Sequence, residues 1–354
     1  MLAAVTQAPG ALALEDVPPP GPPGPVDIVL RPEVVGICGS DLHVYNGDAG
    51  ALSGARNFFP RVQGHEFSAI IEATGPECPA GLRPGDRVAV WPLRSCGRCY
   101  PCRIGRPNAC VSLELFGIHR DGGLQERLCL PAAQVFGIGD LDPAAGAFIE
   151  PMSIAVHARH RAEMRAGQRV AVLGAGPIGL ATVLAATAAG ARVLATDPVP
   201  GRRELATRMG AEAVAWGSHD EVVAAIRQWA RGEGPPRVID TTGAPAALAQ
   251  ATEAVCAAGR VVVVGMSAAT APLRPGIFPE KEIDVVGSSC ATAADFRAAT
   301  QLVRAHRKAI AALPTHRFPL AEVRDAIECA ANSPPDVIKV LVTITGKAVE
   351  ECHE

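Results

Sequence analysis

The second half of the chain alternates short β-branched runs with longer helical stretches. The runs are candidate strands and lie at 169–173, 192–196, 213–215, 237–240, 260–264 and 283–287. Helical stretches such as 177–189 and 220–230 separate most of them. Strands that alternate with helices are typical of a parallel sheet with helices on both faces. The pattern therefore predicts an α/β domain with a doubly wound parallel sheet.

Residues 1–35 and 60–165 show a different pattern, in which short apolar runs are separated by turns rich in Gly and Pro. Many short strands with frequent turns are typical of a barrel-like β domain. Beyond residue 290 the pattern predicts helices at 293–306 and 320–331 and a closing strand at 337–344. We expect this tail to fold back on the first domain. The predicted domains are therefore 1–153 completed by 290–354, and 154–289.

The composition is that of a soluble globular protein. Hydrophobic residues make up 48% of the chain and charged residues 19%, and the formal net charge of −3 gives no hint of a nucleic-acid or acidic-membrane partner. No apolar run reaches the roughly 18 residues that suggest a membrane span. The N-terminus lacks the basic region and apolar core of a signal peptide. We expect a cytoplasmic protein with no nucleic-acid or membrane partner.

A glycine-rich turn joins the first strand of the second domain to the next helix. Gly174, Gly176 and Gly179 form a G-x-G-x-x-G motif. Pro177 stands at the first helical position, where a missing N–H loses no hydrogen bond. Between a strand and a helix this motif is the Rossmann fingerprint for a dinucleotide, because its glycines allow a tight turn, close approach to the pyrophosphate and helix packing. The second domain is therefore predicted to bind a dinucleotide.

The second strand of this domain ends at Asp197. A carboxylate at that place accepts hydrogen bonds from the ribose hydroxyls and repels a 2′-phosphate, which favours NAD over NADP. Arg202 and Arg203 lie close behind and keep NADP as the alternative.

Four of the eleven cysteines are clustered in a loop rich in Gly, Arg and Pro. They are Cys96, Cys99, Cys102 and Cys110. Four thiolates make a closed tetrahedral shell, so the pattern favours a structural zinc site. An iron–sulfur cluster or disulfides are the alternatives, and a reducing compartment disfavours the latter.

A second set of candidate metal ligands is spread along the first domain. Cys38 lies in a Gly-Ile-Cys-Gly-Ser-Asp-Leu-His stretch, Gly-His-Glu supplies His65 and Glu66, and Glu150 follows much later. One sulfur, one nitrogen and two carboxylates suit zinc in a site that keeps an open position. Taken alone, Cys38 is equally well interpreted as a structural residue of a glycine turn.

These motifs occur in an order that resembles the zinc-dependent medium-chain dehydrogenases over nearly the whole chain. The Gly-His-Glu and Glu-Pro pairs are similar to those of the polyol, threonine and sugar-acid branches. Phe59-Pro60-Arg61-Val62 and the segment 117–123 resemble hexonate dehydrogenases. The resemblance implies a GroES-like catalytic domain joined to a Rossmann NAD-binding domain, assembled as a homodimer or homotetramer.

The resemblance also implies roles for individual residues. It assigns one zinc to Cys38, His65 and Glu66, with Glu150 as a fourth ligand or a neighbour across a water, and a second zinc to the four clustered cysteines. Ser40 and His43 match the proton relay of the family. The implied cofactor contacts are Gly174, Gly176, Pro177, Ile178, Gly179, Asp197, Arg202 and Gly265.

We therefore expect a zinc-dependent oxidoreductase that transfers hydride from a secondary alcohol of a polyol or sugar acid to NAD. Arg56, Arg61 and Arg120 are candidates to hold a substrate carboxylate. Oxidation of threonine or another small alcohol is the alternative within enzymes. A non-catalytic NAD-binding structural or sensor protein is the alternative from another class.

Overall fold

Strand pairing separates the chain into two units, and each is described by itself. The computed structural model describes residues 1–48, 59–332 and 334–344. Unit 1 comprises Met1–Glu150 and the chain from Val303 onward, and unit 2 comprises Pro151–Leu302. The domain limits drawn from the sequence stay a prediction. This division lies close to the first of them, at residue 153, and well beyond the second, at residue 290.

The regular elements are as follows. The strands are β1 (Leu2–Ala8), β2 (Ala11–Asp16), β3 (Asp27–Gly36), β4 (Arg61–Val62), β5 (Glu66–Thr74), β6 (Arg87–Val90), β7 (Leu93–Arg94), β8 (Glu114–Leu115), β9 (Leu128–Pro131), β10 (Val135–Gly137), β11 (Arg169–Leu173), β12 (Arg192–Thr196), β13 (Ala213–Ala215), β14 (Arg237–Asp240), β15 (Arg260–Val263), β16 (Asp284–Gly287), β17 (Pro314–Pro319) and β18 (Lys339–Thr343). The helices are α1 (Gly39–Asn46), α2 (Tyr100–Arg103), α3 (Pro143–Ala147), α4 (Ile149–Arg161), α5 (Pro177–Ala188), α6 (Pro200–Arg208), α7 (His219–Trp229), α8 (Pro245–Ala254), α9 (Ile277–Lys281), α10 (Ala293–Ala305), α11 (Arg307–Ile310) and α12 (Val323–Asn332).

Unit 1 is built on a seven-stranded sheet in the order β10-β6-β5-β3-β18-β17, with β9 also paired to β3. Smaller sheets are formed by β2-β1-β4 and by β7-β8. The C-terminal strand β18 runs antiparallel to β3, with Leu341 opposite Gly36. Residues far apart in the sequence therefore meet at the end of β3, which is where the candidate metal ligands lie.

Unit 2 contains a six-stranded parallel sheet in the order β13-β12-β11-β14-β15-β16. Its central strand β11 is apolar and buried from Val170 to Leu173, as expected for a parallel sheet whose two faces are both covered by helices. All six strands begin and end within one residue of the limits that the sequence predicted. The order reverses beside β11, and the carboxyl ends of the strands there are the usual binding edge of such sheets.

The sequence interpretation was wrong about the stretch that follows β3. It treated Cys38 and its neighbours as a glycine turn, whereas Gly39–Asn46 form helix α1. The helix is stabilised at its start by Asp41, whose Oδ2 accepts the backbone N–H of Cys38 at 2.9 Å. An acidic residue in the first turn caps the free N–H groups there and outweighs the glycine at the first helical position.

The turn between β11 and α5 depends on its glycines. Gly174 has a φ of +91°, which side chains other than glycine rarely adopt. A Cβ on Gly179 would overlap the carbonyl oxygen of Gly174, whereas a Cβ on Gly176 would meet no atom within 4 Å. The backbone at Gly176 is therefore open to the approach of another group.

No helix in the described ranges is both long enough and apolar enough to span a membrane.

Gly176 and Gly179 give a matched pair of variants. We expect Gly179→Ala to destabilise unit 2 by about 1–3 kcal/mol, because the neighbour that its methyl group meets is backbone and cannot move aside cheaply. Gly176→Ala should change the melting temperature much less but should weaken dinucleotide binding. Thermal unfolding of both variants checks this, and equal melting temperatures would contradict the packing argument.

Candidate active site

Three of the predicted catalytic zinc ligands converge at the end of β3. Cys38 follows β3, His65 and Glu66 stand at the start of β5, and Gly36 pairs directly with Glu66 across the two strands. One ligand atom from each of Cys38, His65 and Glu66 lies within 4.8 Å of those of the others. His65 and Glu66 are buried, and Cys38 is half-buried. A buried thiol, imidazole and carboxylate at this separation fit a zinc ion.

Asp41 was not singled out from the sequence, yet it orients His65. Its side chain is completely buried, and Oδ1 lies 3.5 Å from His65 Nδ1 and accepts the Gly64 N–H at 3.2 Å. A carboxylate behind one ring nitrogen fixes the orientation of an imidazole and leaves the other nitrogen for a metal. Burial opposes a charge on His65, but Asp41 and Cys38 outweigh it and raise the pKa of His65 well above its ordinary value.

Asp41 is held by a further buried pair. Gln63 donates to the backbone carbonyl of Asp41 at 2.7 Å and accepts from the Thr6 hydroxyl at 2.6 Å. Thr6 lies on β1, so the N-terminal strand contributes to the support of the candidate metal site.

Lys339 is the second residue that sequence reasoning missed. It lies at the start of β18, is 3% exposed and forms an ion pair with Glu66 Oε2, while its ammonium group donates to the Ile37 carbonyl at 2.8 Å. Burial opposes its charge, but Glu66 and Cys38 outweigh this and raise the pKa of Lys339. The lysine therefore supplies a fixed positive charge that offsets the thiol and carboxylates around it.

Glu150 lies within electrostatic reach of this cluster but outside the group of atoms that are within 4.8 Å of one another. Burial, with a further contribution from Glu66, raises the pKa of Glu150 to about 7 against the opposing charge of His65. This arrangement agrees with a carboxylate that stands beside the metal. Direct ligation by Glu150 stays a prediction.

The predicted proton relay lies on α1. Ser40 Oγ is 3.2 Å from His65 Nε2, and His43 follows three residues later on the same helical face. His43 Nδ1 is 3.0 Å from Asp48 Oδ2, and its side chain is 34% exposed. The helix thus carries a hydroxyl beside the candidate metal site and an imidazole that reaches solvent.

The four clustered cysteines also converge. Their sulfur atoms lie within 4.8 Å of one another, and no disulfide occurs among the cysteines that the structure describes. Backbone N–H groups of Cys102 and Val111 lower the pKa of Cys99 to about 6, whereas burial raises that of Cys102 to about 11. Converging free thiols fit a closed metal shell and disagree with the disulfide alternative.

The predicted dinucleotide contacts lie at the carboxyl edge of the unit 2 sheet. Asp197 is 5% exposed, and its carboxylate accepts the N–H groups of Ala175 at 2.8 Å and Val199 at 2.9 Å. Gly265, beyond β15, packs so closely on Gly243 that a side chain there would overlap backbone. Of the other predicted contacts, Pro177 and Ile178 open α5 and Arg202 lies on α6. Asp197 thus links the glycine-rich turn after β11 to the end of β12 by a hydrogen bond.

The arginines proposed to hold a substrate carboxylate are paired with protein carboxylates. Arg61 lies 2.9 Å from Asp121, and Arg120 lies 2.8 Å from Glu114. Both are therefore weaker candidates than the sequence suggested. Arg56 lies outside the described residues.

A metal-binding unit joined to a dinucleotide-binding unit defines a metal-dependent oxidoreductase. Two family models match the chain, the alcohol dehydrogenase GroES-like domain over residues 24–140 and the zinc-binding dehydrogenase domain over 177–305. L-galactonate-5-dehydrogenase of Escherichia coli (strain K12) is 34% identical over 322 residues, which cover 91% of this chain and 93% of that relative. The chain belongs to the zinc-binding dehydrogenase family.

Solved structures agree with this assignment. A short chain alcohol dehydrogenase from E. coli CFT073, complexed with NADH, superposes with a TM-score of 0.88 at 30% identity, covering 97% of this chain and 99% of that one. A zinc-binding dehydrogenase from Sinorhizobium meliloti 1021, bound to NADP, gives a TM-score of 0.86 at 34% identity, also covering 97% and 99%. The predicted fold class and family are confirmed, and the protein is a zinc-dependent dehydrogenase.

The support of His65 by Asp41 gives a second prediction. We expect Asp41→Asn to lower zinc affinity at the Cys38 site by about 10–100-fold, because the amide no longer offers His65 a charged acceptor. Competition with a chelator measures this. Asp48→Asn is the matched control, since Asp48 contacts His43 and no predicted ligand. Equal zinc loss from both variants would contradict the assigned role of Asp41.

Proposed function

We propose that the protein oxidises a secondary alcohol of a sugar acid or polyol, most favourably a hexonate, and passes the hydride to NAD. The observation that carries the proposal is the convergence of Cys38, His65 and Glu66 at the end of β3. A structural zinc site does not need an imidazole and a carboxylate beside a serine and a solvent-reaching histidine. An alcohol-activating zinc site does.

In this proposal, each residue of the candidate site in unit 1 has a separate role in the reaction. Zinc, when bound, supplies a Lewis acid that lowers the pKa of an alcohol, and NAD accepts the hydride. Cys38, His65 and Glu66 would hold the metal, and Glu150 would serve as a fourth ligand or as a neighbour across a water. Lys339 and Asp41 fix the charge and orientation of those ligands.

The proton of the alcohol leaves along α1. Ser40 Oγ, which lies beside His65, accepts the alcohol proton and at the same time releases its own hydroxyl proton towards His43. His43 delivers that proton to solvent, and Asp48 holds its imidazole by Nδ1. A hydroxyl followed by a solvent-facing histidine is a suitable proton path because an imidazole can both accept and release a proton.

NAD is favoured over NADP because the Asp197 carboxylate stands at the end of β12. Gly174, Gly176 and Gly179 then bring the pyrophosphate to the start of α5, where free N–H groups face it. Arg202 on α6 is a further contact.

The preference for a hexonate is supported by the similarity to a galactonate dehydrogenase and by the matching segments around Arg61 and Gly117. Threonine is the second candidate, since its β-hydroxyl is also a secondary alcohol beside a carboxylate. Comparison of the two substrates decides between them.

A homodimer or homotetramer in the cytoplasm completes the proposal. Strand β16 is the last strand of the unit 2 sheet, and Val285 on it is 38% exposed. An exposed, partly apolar edge strand is a template for pairing with another chain, which favours self-association.

A substrate panel tests the proposed function. Steady-state assays with NAD should give the highest kcat/KM for a hexonate, lower values for hexitols and the lowest for L-threonine. Cys38→Ser should lose detectable turnover and still bind NADH, because the variant removes a metal ligand from unit 1 and leaves unit 2 intact. No activity with any carboxylate-bearing substrate would overturn the sugar-acid preference, and turnover by Cys38→Ser would overturn the zinc assignment.

A further inference from the structure

Trp216 is a large aromatic residue whose position the fold does not explain. Its surface is 55% exposed, although tryptophan is highly buried on average in folded proteins. On β13, Ala213 and Ala215 pack against the core of unit 2, while Val214 on the opposite face is 38% exposed. Trp216 continues that outward face and lies outside the described apolar core.

Trp216 is also not needed to start the helix that follows. The capping box of α7 is formed by Ser218 and Glu221, each of which bonds to the backbone of the other. The exposed ring therefore contributes neither to the core nor to the helix start.

The sheet register places Trp216 beside the predicted ribose site. Strands β12 and β13 run parallel and end with Thr196 opposite Ala215, so the residues that follow the two strand ends are Asp197 and Trp216. Neighbouring strands lie about 4.8 Å apart. Both residues thus stand at the carboxyl edge of the sheet, about one strand spacing from each other.

We propose that the indole of Trp216 forms an aromatic wall for the adenine base of the dinucleotide. The inference rests on the proposed NAD role of unit 2. The adenine is joined to the same ribose whose hydroxyls are proposed to donate hydrogen bonds to Asp197. The base is therefore separated from that carboxylate by the width of one ribose ring. Every nucleobase has a π face that packs on an exposed aromatic side chain, and this contact is independent of hydrogen-bonding pattern. Trp216 is thereby a specificity residue for adenine-containing cofactors.

Ligands with and without the base test this proposal on the zinc-loaded, full-length protein. Dissociation constants for NADH, ADP-ribose and NMNH are measured by titration for the wild type, Trp216→Ala and Trp216→Phe. Trp216→Ala should weaken the binding of NADH and of ADP-ribose by about tenfold. The affinity for NMNH, which has no adenine, should stay unchanged. Trp216→Phe should recover most of the loss, because it keeps an aromatic face.

Fluorescence gives a second readout that a general loss of stability does not reproduce. The chain has three tryptophans, and bound NADH should quench the emission of wild-type protein and of Trp229→Phe more strongly than that of Trp216→Phe. Equal NADH affinity in the wild type and Trp216→Ala, or an equal loss of affinity for NADH and for NMNH, overturns this inference and leaves the proposed function standing. A wild-type protein that binds no dinucleotide overturns the proposed function as well.

Discussion

The candidate active site depends on charge compensation in a buried place. A thiol and the carboxylates of Glu66, Glu150 and Asp41 lie together at the end of β3, where water offers them little solvation. Such a group of anions is strongly unfavourable in a protein interior unless positive charge accompanies it. Lys339 provides a permanent part of that charge, and a zinc ion bound there would provide the remainder. The same arrangement that makes the site costly without a metal therefore makes it selective for a cation.

The fold delivers these groups from distant parts of the sequence. The pairing of β3 with β5 brings Cys38 to His65 and Glu66, and the pairing of β18 with β3 brings Lys339 from the other end of the chain. Thr6 on β1 supports the same site through Gln63. Strands from both ends of the chain therefore stabilise the candidate metal site. The N-terminal strand β1 acts through Gln63, and the C-terminal strand β18 acts through Lys339.

The sequence predicted those parts of the molecule that depend on local patterns. The strands of unit 2 were found because both faces of a parallel sheet are covered, which leaves uninterrupted apolar runs such as 170–173. Helix α1 was missed because Gly39, at its first position, disfavours a helix that Asp41 nevertheless stabilises. Lys339 could not be linked to Glu66 without the register of β18, and the ion pairs of Arg61 and Arg120 with carboxylates likewise depend on contacts that a linear sequence does not display.

A hydrogen-bonded network in unit 2 likewise depends on contacts that the linear sequence does not display. Asp295 accepts from His157 at 2.8 Å and His160 at 2.7 Å, and it joins α4 to α10. Despite its burial, these hydrogen bonds lower the pKa of Asp295. Its contribution to stability is therefore present above the ordinary carboxyl pKa and is lost as the pH falls towards the lowered value. The linear sequence does not show that these two histidines meet a carboxylate 135 or more residues away.

The central claim is that Cys38, His65 and Glu66 form a metal site distinct from the four-cysteine site. Anomalous diffraction at the zinc absorption edge tests it most directly, on crystals of the full-length protein grown with zinc in excess. The account predicts two peaks per chain, one among Cys38, His65 and Glu66 and one among the four cysteines. A peak at the cysteines with none at Cys38 would contradict it.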